Sequence, residues 1–454
     1  MKDLLFDAAS RAVRFLDENA EAPVAASGAA VQGLDALRGS LPDAGLPAAD
    51  VVATLDAIGS PATTRNSGPR YFGFVTGGTL PAALAANWMA TAWDQNAAMH
   101  VMSPVASVLE EVALQWVAEA MHLPAAGGVF TTGATMANFT CLAAARHAVL
   151  AKAGWDVERD GLFGAPPITV IVGAEAHATL FKSLAMLGLG RERVVRVPVD
   201  DQGRMVASAM PAIGDGPTIV CLQAGNVNSG AFDPAAEIVA QRGSNTWVHV
   251  DGAFGIWALA SPEKAHLAAG YELADSWATD GHKWLNVSYD CGIALVRDAN
   301  ALAHAMAISA AYLSTASTQR EGMHWGPESS RKARGIEVWA AMRSLGRQGL
   351  AEMIAGCCRH ASRFAARLTD VGFAVMNRVE LNQVVVSFGT DDETRAVIAA
   401  IQNDGTCWCG ATVWKGRAAM RISVSSWMTS EADVERSADA MIAVARRVLS
   451  GSRA

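Results

Sequence analysis

Between residue 62 and about residue 300, strand-like and helix-like segments alternate, and this alternation constrains the fold more than any other feature. Several strand-like segments are near-continuous runs of Val and Ile, which is typical of strands buried on both faces. The pattern predicts an α/β fold in which helices cover both faces of a mostly parallel sheet. The seven predicted strands are Gly128–Thr132, Ile168–Val172, Val194–Val199, Thr218–Gln223, Thr246–Val250, Asp275–Thr279 and Gly292–Arg297.

The segments before and after this region have different patterns. Residues 1 to about 20 show apolar residues at helical spacing, and an Ala/Gly/Pro-rich stretch follows. Residues 1–61 are therefore predicted to be an N-terminal helical arm, which either packs on a partner subunit or forms a mobile surface helix. Residues 62–310 are predicted to be a large domain, and residues 311–454 a mobile polar loop followed by a smaller C-terminal α+β domain. The predicted elements of this last region are a loop at about Leu313–Glu328, strands Gln383–Phe388 and Ala419–Ser423, and helices at about Ile336–Leu345 and Glu431–Leu449.

The composition excludes several classes of protein. At 454 residues, with 51% hydrophobic and 18% charged residues, the chain suits a compact globular protein of two or three domains. Its net charge of −8 argues against a general nucleic-acid-binding protein, which usually carries a basic face. No apolar run of about 18 residues predicts a membrane span, and Met1–Asp7 lacks the pattern of a signal peptide. The seven scattered cysteines favour reduced thiols in a cytoplasmic protein over a disulfide framework.

Polar residues and glycines gather where several predicted strands end. Thr132-Gly133 lies at the end of the first strand, Asp251 follows the fifth, and Asp280–Lys283 lies at the end of the sixth. Ligands of open α/β sheets bind at the carboxyl ends of the strands. The coincidence of three such groups at one edge indicates an active site more strongly than any one of them does.

Two of these segments suit a phosphate and a flat ring. The turn Thr132-Gly133-Ala134-Thr135 leads into an Ala- and Leu-rich helix, whose free N–H groups form an anion site to which Thr135 adds a hydroxyl. Alone, such a turn is a weak signal, because most are only strand-to-helix connections. His177 opens a predicted helix at about Ala178–Leu187, where its ring either stacks on an aromatic ligand or caps the helix.

Asp251 and Lys283 indicate which ligand this is. A carboxylate that ends an apolar strand is costly to bury without a partner, and a pyridinium N–H is a suitable partner, with the small Ala253 beneath the ring. We expect an apolar setting with nearby cations to lower the pKa of Lys283, so that its amine forms a Schiff base with an aldehyde. The alternative is a lysine that extends to solvent. With the turn and His177, these residues predict pyridoxal 5′-phosphate (PLP) and bond breaking at an amino-acid Cα.

The residues that predict PLP binding also resemble the motifs of a known protein family. From about Gly68 to Ser425, the sequence resembles the group II PLP-dependent amino-acid decarboxylases, which include aromatic-L-amino-acid decarboxylase and glutamate decarboxylase. The most specific pieces are Ser103-Pro104 with Leu109-Glu110, Ala176-His177, His249-Val250-Asp251-Gly252-Ala253 and His282-Lys283-Trp284-Leu285. The resemblance implies the aspartate-aminotransferase-like fold (fold type I) and an obligate homodimer with active sites at the subunit interface.

The resemblance also implies roles for individual residues. Lys283 matches the Schiff-base lysine, Asp251 the partner of the pyridinium nitrogen, and His177 the stacked histidine. Asn226 lies in the segment that matches another loop in contact with the cofactor. The full set of expected cofactor-binding residues is Ala134, Thr135, His177, Asn226, Asp251, Ala253, Asp280, His282 and Lys283.

Two positions depart from the family pattern. Gly322 stands where the mobile loop of the family carries a Tyr that protonates the carbanion, and His324 and Tyr312 are other candidate donors. Some relatives without this Tyr divert the carbanion to oxygen and release an aldehyde. On the substrate side, Ala98 replaces an aromatic residue of the aromatic-acid decarboxylases, and Asn96 is more polar than expected, so the preferred side chain stays open.

The expected function is therefore decarboxylation of an L-amino acid, aromatic or related, to an amine and CO2. The expected path is a Lys283 Schiff base followed by a quinonoid. Three alternatives remain: an oxidative aldehyde synthase, a PLP-dependent carbon–carbon lyase, and a PLP-fold protein without catalysis that acts as a scaffold.

Overall fold

The computed structural model describes residues 1–308 and 319–451 and divides the chain into two compact units. We call Thr79–Arg359 with Asn377–Gln383 the sheet unit, and Met1–Gly78, His360–Met376 and Val384–Ala454 the terminal unit. The domain boundaries that were expected after residues 61 and 310 stay predictions.

The described residues form two sheets and a series of α-helices. The strands are β1 (Gly127–Thr131), β2 (Thr169–Gly173), β3 (Val195–Val197), β4 (Thr218–Gln223), β5 (Thr246–Asp251), β6 (Ser276–Asp280), β7 (Gly292–Val296), β8 (Ala374–Val375), β9 (Gln383–Ser387), β10 (Gly410–Trp414) and β11 (Arg417–Ser423). The helices are α1 (Lys2–Glu18), α2 (Gly28–Gly33), α3 (Ala48–Gly59), α4 (Pro81–Trp93), α5 (Pro104–Ala120), α6 (Ala134–Lys152), α7 (Val157–Asp160), α8 (Ala178–Met186), α9 (Ala235–Val239), α10 (Ala299–Met306), α11 (Gly335–Asp370), α12 (Asp391–Asp404) and α13 (Glu431–Gly451). Within the described ranges, no helix combines the length and apolar character that a bilayer crossing requires.

The large sheet has seven strands in the order β1-β7-β6-β5-β4-β2-β3. Strand β7 runs antiparallel to β1 and β6, whereas the other neighbouring strands run parallel. All seven predicted strands are present, with ends that differ from the prediction by at most two residues. The predicted α/β fold of type I, with a mostly parallel sheet, is confirmed.

Burial on both faces explains why these segments are strands. Every residue of β6 is buried, and so is every residue of β5 after Thr246. Helix α6 packs on the sheet through small side chains, including Ala143 and Ala144, which allow the helix to approach the strands closely. Such strands expose no polar face to water, so their sequences read as continuous apolar runs.

The strand directions bring the site together at one edge of the sheet. Strands β1, β5 and β6 run in the same direction, so they all end at the same edge. Gly292, the first residue of β7, lies against the Gly133 backbone, and a Cβ at Gly292 would overlap it. The absence of a side chain at Gly292 therefore lets the turn at the start of α6 approach the end of the sheet.

The terminal unit contains most of a four-stranded sheet in the order β10-β11-β9-β8. Strands β8 and β10 were not predicted, whereas β9, β11 and the last helix were. The buried Arg70 links segments of this unit that are distant in sequence. Its guanidinium donates to the carbonyl oxygens of Ala20 and Ala22, and to that of Thr406 at 2.8 Å. A buried arginine needs such partners, and here they are mainly backbone carbonyls.

Candidate active site

The carboxylate of Asp280 lies at the centre of the site. Asp280 is the last residue of β6, and its side chain is only 3% exposed. Its Oδ1 accepts the backbone N–H of Ala134 at 2.5 Å, and its Oδ2 lies 2.9 Å from Lys283 Nζ. The helix N-terminus therefore faces a negative charge, as helix dipoles favour.

Lys283 has the opposite pKa shift from the one expected. Burial lowers the pKa of the Lys283 ammonium, but the charges of Asp280, Asp251 and Tyr289 raise it, and the net result lies above the ordinary value. The expected lowering is wrong because the structure places a carboxylate, not a cation, nearest to the amine. Lys283 is therefore held as an ammonium ion until a proton is removed.

Asp251 has one unsatisfied oxygen. It is the last residue of β5 and is 5% exposed, and its Oδ1 accepts the N–H of Ala253 at 3.3 Å. Its Oδ2 has no hydrogen-bond partner in the part of the chain that the structure describes. Burial raises the pKa of Asp251 above its ordinary value, although the charges of His177 and Lys283 oppose the rise. A buried acceptor without a donor is costly, so this oxygen suits an N–H from a ligand.

His177 both caps a helix and lies beside Asp251. It is the N-cap of α8, and its Nδ1 accepts the N–H of Thr179 at 3.4 Å and lies 2.7 Å from Thr179 Oγ1. His177 and Asp251 also line the same small cavity. The capping contact leaves the ring at the edge of the sheet where the parallel strands end.

The turn into α6 places Ala134 and Thr135 next to Asp280 and His282. Gly133 has φ 154°, and a Cβ there would lie 3.4 Å from His282 Cε1. His282 Nδ1 accepts the N–H of Cys291 at 3.0 Å, so the proton of the neutral ring is on Nε2, which lies 3.5 Å from Asp280 Oδ1. Burial lowers the pKa of His282, although Asp280 opposes this. Four of the expected cofactor-binding residues are therefore grouped at one helix end.

Asn226 and Asn96 use their side chains to hold loops. Asn226, which follows β4, accepts the N–H groups of Asn228 and Ser229 at 2.9 and 3.2 Å. Asn96 accepts the N–H groups of Ala98 and Arg331 at 3.1 and 3.2 Å. The predicted contacts of Asn226 with the cofactor, and of Asn96 and Ala98 with the substrate, stay predictions.

A buried ion-pair cluster was missed as a structural feature of this region. Glu110, on α5, is 2% exposed, and both of its oxygens bind the Arg331 guanidinium, at 2.6 and 2.8 Å. Arg320 Nη2 donates to Glu110 Oε1 at 3.0 Å. Burial would raise the pKa of Glu110, but the two arginines lower it below its ordinary value. The sequence signal that could have revealed this cluster is a glutamate on the apolar face of a helix, because a buried charge requires a partner of opposite charge.

Gly322 lies against this cluster. It begins a short 3-10 helix, Gly322–His324, and a Cβ at Gly322 would overlap the Arg331 guanidinium and the Ala97 carbonyl oxygen. Gly322, which was expected to match the loop Tyr of the family, therefore has no room for a side chain. Of the other candidate donors, His324 is buried, and Tyr312 lies outside the described residues.

Comparison with known proteins identifies a family and a fold. Residues 34–390 match the pyridoxal-dependent decarboxylase conserved domain. Tryptophan decarboxylase 1 of Oryza sativa subsp. japonica is 29% identical over 442 residues, which cover 87% of this chain and 84% of that protein. L-2,4-diaminobutyrate decarboxylase of Rhizobium meliloti is 29% identical over 458 residues, which cover 95% and 90%. The crystal structure of Oryza sativa TDC with PLP and tryptamine has a TM-score of 0.89 at 24% identity and covers 98% of this chain and 97% of that one. Mouse CSAD has a TM-score of 0.89 at 21% identity and covers 98% of both chains.

The packing around Gly322 predicts that Gly322→Ala destabilises the protein. The added methyl group must displace the Arg331 guanidinium from a buried ion pair, and overpacking of this kind costs about 1–3 kcal/mol. Denaturant unfolding of the purified variants measures the change. Gly214→Ala is the control, because no atom lies within 4 Å of a Cβ at that position. Equal unfolding midpoints for the two variants would contradict the packing described for Gly322.

Proposed function

Because this chain belongs to the pyridoxal-dependent decarboxylase family and is a PLP-dependent carboxy-lyase, we propose that it removes the α-carboxylate of an L-amino acid and releases the amine. Lys283, Asp251 and His177 are the proposed catalytic residues. The proposal rests on one observation. The Lys283 ammonium, the N-terminus of α6 and an Asp251 oxygen without a donor among the described residues all lie at the same edge of the sheet.

The residues of this edge fit PLP. Asp251 Oδ2 is a buried acceptor without a donor among the described residues, as the pyridinium N–H requires. Helix α6 begins with Ala134 and Thr135, and small residues at a helix N-terminus suit a phosphate. The proposed cofactor-binding residues are Ala134, Thr135, His177, Asn226, Asp251, Ala253, Asp280, His282 and Lys283.

Each proposed catalytic residue acts on the cofactor in a different way. PLP, when bound, accepts the electrons that are released at Cα as the carboxylate leaves. Lys283 would supply the amine that bonds the cofactor aldehyde. Asp251 would accept the ring N–H and keep the ring nitrogen cationic, and His177 would pack on the ring. Burial strengthens the effect of Asp251, because few water molecules screen its charge.

Lys283 must lose a proton before it bonds an aldehyde. Asp280, 2.9 Å away, favours the ammonium form, so the neutral amine is scarce near neutral pH. We infer that Asp280 holds the amine in position at the end of β6 and makes cofactor binding depend on pH. His282, at the other oxygen of Asp280, orients the carboxylate.

The proposed product is an amine rather than an aldehyde. Several relatives that match this chain are named as decarboxylases of tryptophan, tyrosine, diaminobutyrate or acidic amino acids. These names span aromatic, basic and acidic side chains, so they support decarboxylation without selecting one substrate. Asn96 and Ala98 are the residues that we propose to contact the substrate side chain.

We also propose that the protein is a homodimer. Ala86 and Ala90 of α4 pack against a small apolar cluster that contains Ala106 of α5. Helix α4 also exposes Trp88, Met89 and Trp93 by 41–53%, and large apolar side chains exposed together on one helix favour a protein interface. The seven cysteines are all free and buried, which suits a reducing compartment such as the cytoplasm.

The proposed reaction predicts a specific pattern of products. We expect purified protein loaded with PLP to release CO2 and an equal amount of amine from at least one L-amino acid of a panel, without oxygen uptake. Lys283→Ala should lose this turnover and the absorbance of the lysine–cofactor bond, whereas Lys182→Ala, which removes an exposed lysine of α8, should keep both. Aldehyde with peroxide would indicate the oxidative alternative, and a colourless protein that ignores PLP would contradict the proposal.

The pKa shift of Lys283 predicts how PLP binding responds to pH. Binding should accelerate as pH rises through the raised pKa, because only the neutral amine attacks the aldehyde. Asp280→Asn removes the nearest negative charge and so lowers the pKa of Lys283, and binding near neutral pH should therefore be faster. Stopped-flow absorbance measures the rate.

The pH profile separates this effect from simple charge repulsion. At a pH above both pKa values the two proteins should bind PLP at similar rates, whereas lower repulsion of the phosphate would accelerate binding at every pH. Asp201→Asn, which removes an exposed charge, is the control. Identical profiles for Asp280→Asn and the unmodified protein would remove Asp280 from this role.

The exposed face of α4 predicts the effect of a charge on assembly. Trp88→Glu should shift the protein from dimer towards monomer in sedimentation velocity, because a charge is costly to bury in an apolar interface. Phe163→Glu places the same charge at a fully exposed position outside this face and should leave the dimer unchanged. A monomeric unmodified protein would contradict the proposal.

A further inference from the structure

A chain of buried polar side chains leads through the sheet unit towards Asp251. Trp247 and His249 lie on β5, Ser276 begins β6, and Asn138 lies on α6. Trp247 Nε1 donates to Ser276 Oγ at 2.8 Å, and Ser276 Oγ lies 2.9 Å from His249 Nδ1. His249 Nε2 lies 2.8 Å from Asn138 Oδ1. Ser276, His249 and Asn138 are all fully buried.

The donor and the acceptor of each hydrogen bond in this series of side chains can be assigned. Asn138 Oδ1 is only an acceptor, so His249 Nε2 must carry the proton. Burial lowers the pKa of His249 to about 3, so the ring is neutral and its Nδ1 accepts. The Ser276 hydroxyl is then the donor to Nδ1, while its oxygen accepts the Trp247 N–H. Each group therefore fixes the orientation of the next one.

The chain ends beside Asp251. Residues 249 and 251 of β5 point to the same face of the sheet, the face on which α6 packs. The Asn138 Nδ2 group, which is buried, completes no hydrogen bond of ordinary length among the described residues. It is nevertheless close enough to Asp251 to lower the pKa of that carboxyl. The hydrogen-bonded series therefore presents the N–H groups of the Asn138 amide, not its oxygen, to the Asp251 carboxylate.

We propose that His249 and Asn138 are positioning residues, which hold Asp251 as a carboxylate by presenting the Asn138 amide with its N–H groups towards it. This inference rests on the proposed role of Asp251 towards the ring nitrogen. A free Asn amide can rotate by half a turn, which would place its oxygen against the carboxylate and favour a proton on Asp251. His249 Nε2–H prevents this rotation, because it requires Asn138 Oδ1 as its acceptor.

Loss of His249 or Asn138 should therefore change the protonation of the ring nitrogen, although neither residue is proposed to contact it. In Asn138→Leu, Asp251 loses the amide N–H groups that face it, and in His249→Leu the Asn138 amide can turn its oxygen towards Asp251. In both variants Asp251 binds a proton more readily, so it shares less negative charge with the ring nitrogen. In His249→Gln, the side-chain amide supplies an N–H to Asn138 Oδ1 again. We expect the two Leu variants to bind PLP about tenfold more weakly, because the charged hydrogen bond between Asp251 and the ring nitrogen is weakened, and the Gln variant to recover.

The protonation of the ring nitrogen is the decisive measurement. The 15N chemical shift of PLP labelled at the ring nitrogen, bound to the full-length protein, should report a protonated nitrogen in the unmodified protein and in Thr140→Val. Thr140→Val is the matched control, because it removes another buried hydrogen bond of α6 that does not reach Asp251. The two Leu variants should lose part of the protonated signal, and His249→Gln should restore it.

The outcomes separate this inference from the proposed function. An unprotonated nitrogen in the unmodified protein, or no change in Asp251→Asn, would overturn the role of Asp251 itself. A protonated nitrogen that requires Asp251 but persists in folded Leu variants would overturn only the role of His249 and Asn138. Neutron diffraction of the unmodified holoenzyme is independent of any variant. A proton on His249 Nδ1, or an Asn138 oxygen facing Asp251, would overturn the inference.

Discussion

The contact of Asp280 with both Ala134 and Lys283 holds the site together. One carboxylate binds the first N–H of α6 and the amine that follows β6, so a helix end and a lysine that are distant in sequence become neighbours. The antiparallel β7 between β1 and β6 places both strand ends at the same edge. The burial of Asp280 is possible only because these donors replace the water that the carboxylate loses.

Three buried carboxylates of the sheet unit differ in how completely they are paired. Both oxygens of Glu110 bind Arg331, which is the arrangement of a structural ion pair that fixes the segment around Gly322. Asp280 is paired with the chain's own amine, which the proposed reaction requires to be released. Asp251 keeps an oxygen without a donor among the described residues. The incompletely paired group is therefore the one that suits a ligand.

The fold was predictable where burial leaves a pattern in the sequence. The seven strands of the large sheet were predicted, because strands buried on both faces are apolar throughout. Strands β8 and β10 were not, because they are the edge strands of the smaller sheet, and they are short or alternate in burial. The helix predicted at about Ile336–Leu345 ends where Gly346 adopts φ 58°, yet the chain resumes as a helix to Asp370. The resemblance to the decarboxylase family is confirmed by the match of residues 34–390.

The sequence by itself determined the residue types at the strand ends, and with them the family, the fold and the cofactor. The tertiary structure alone decided the electrostatic state of those residues. It placed Asp280 rather than a cation beside Lys283, filled the space at Gly322 with Arg331, and oriented Asn138 through His249. Local patterns cannot carry this information, because pKa values, steric overlap and hydrogen-bond direction depend on distances of a few ångströms between residues that are far apart along the chain.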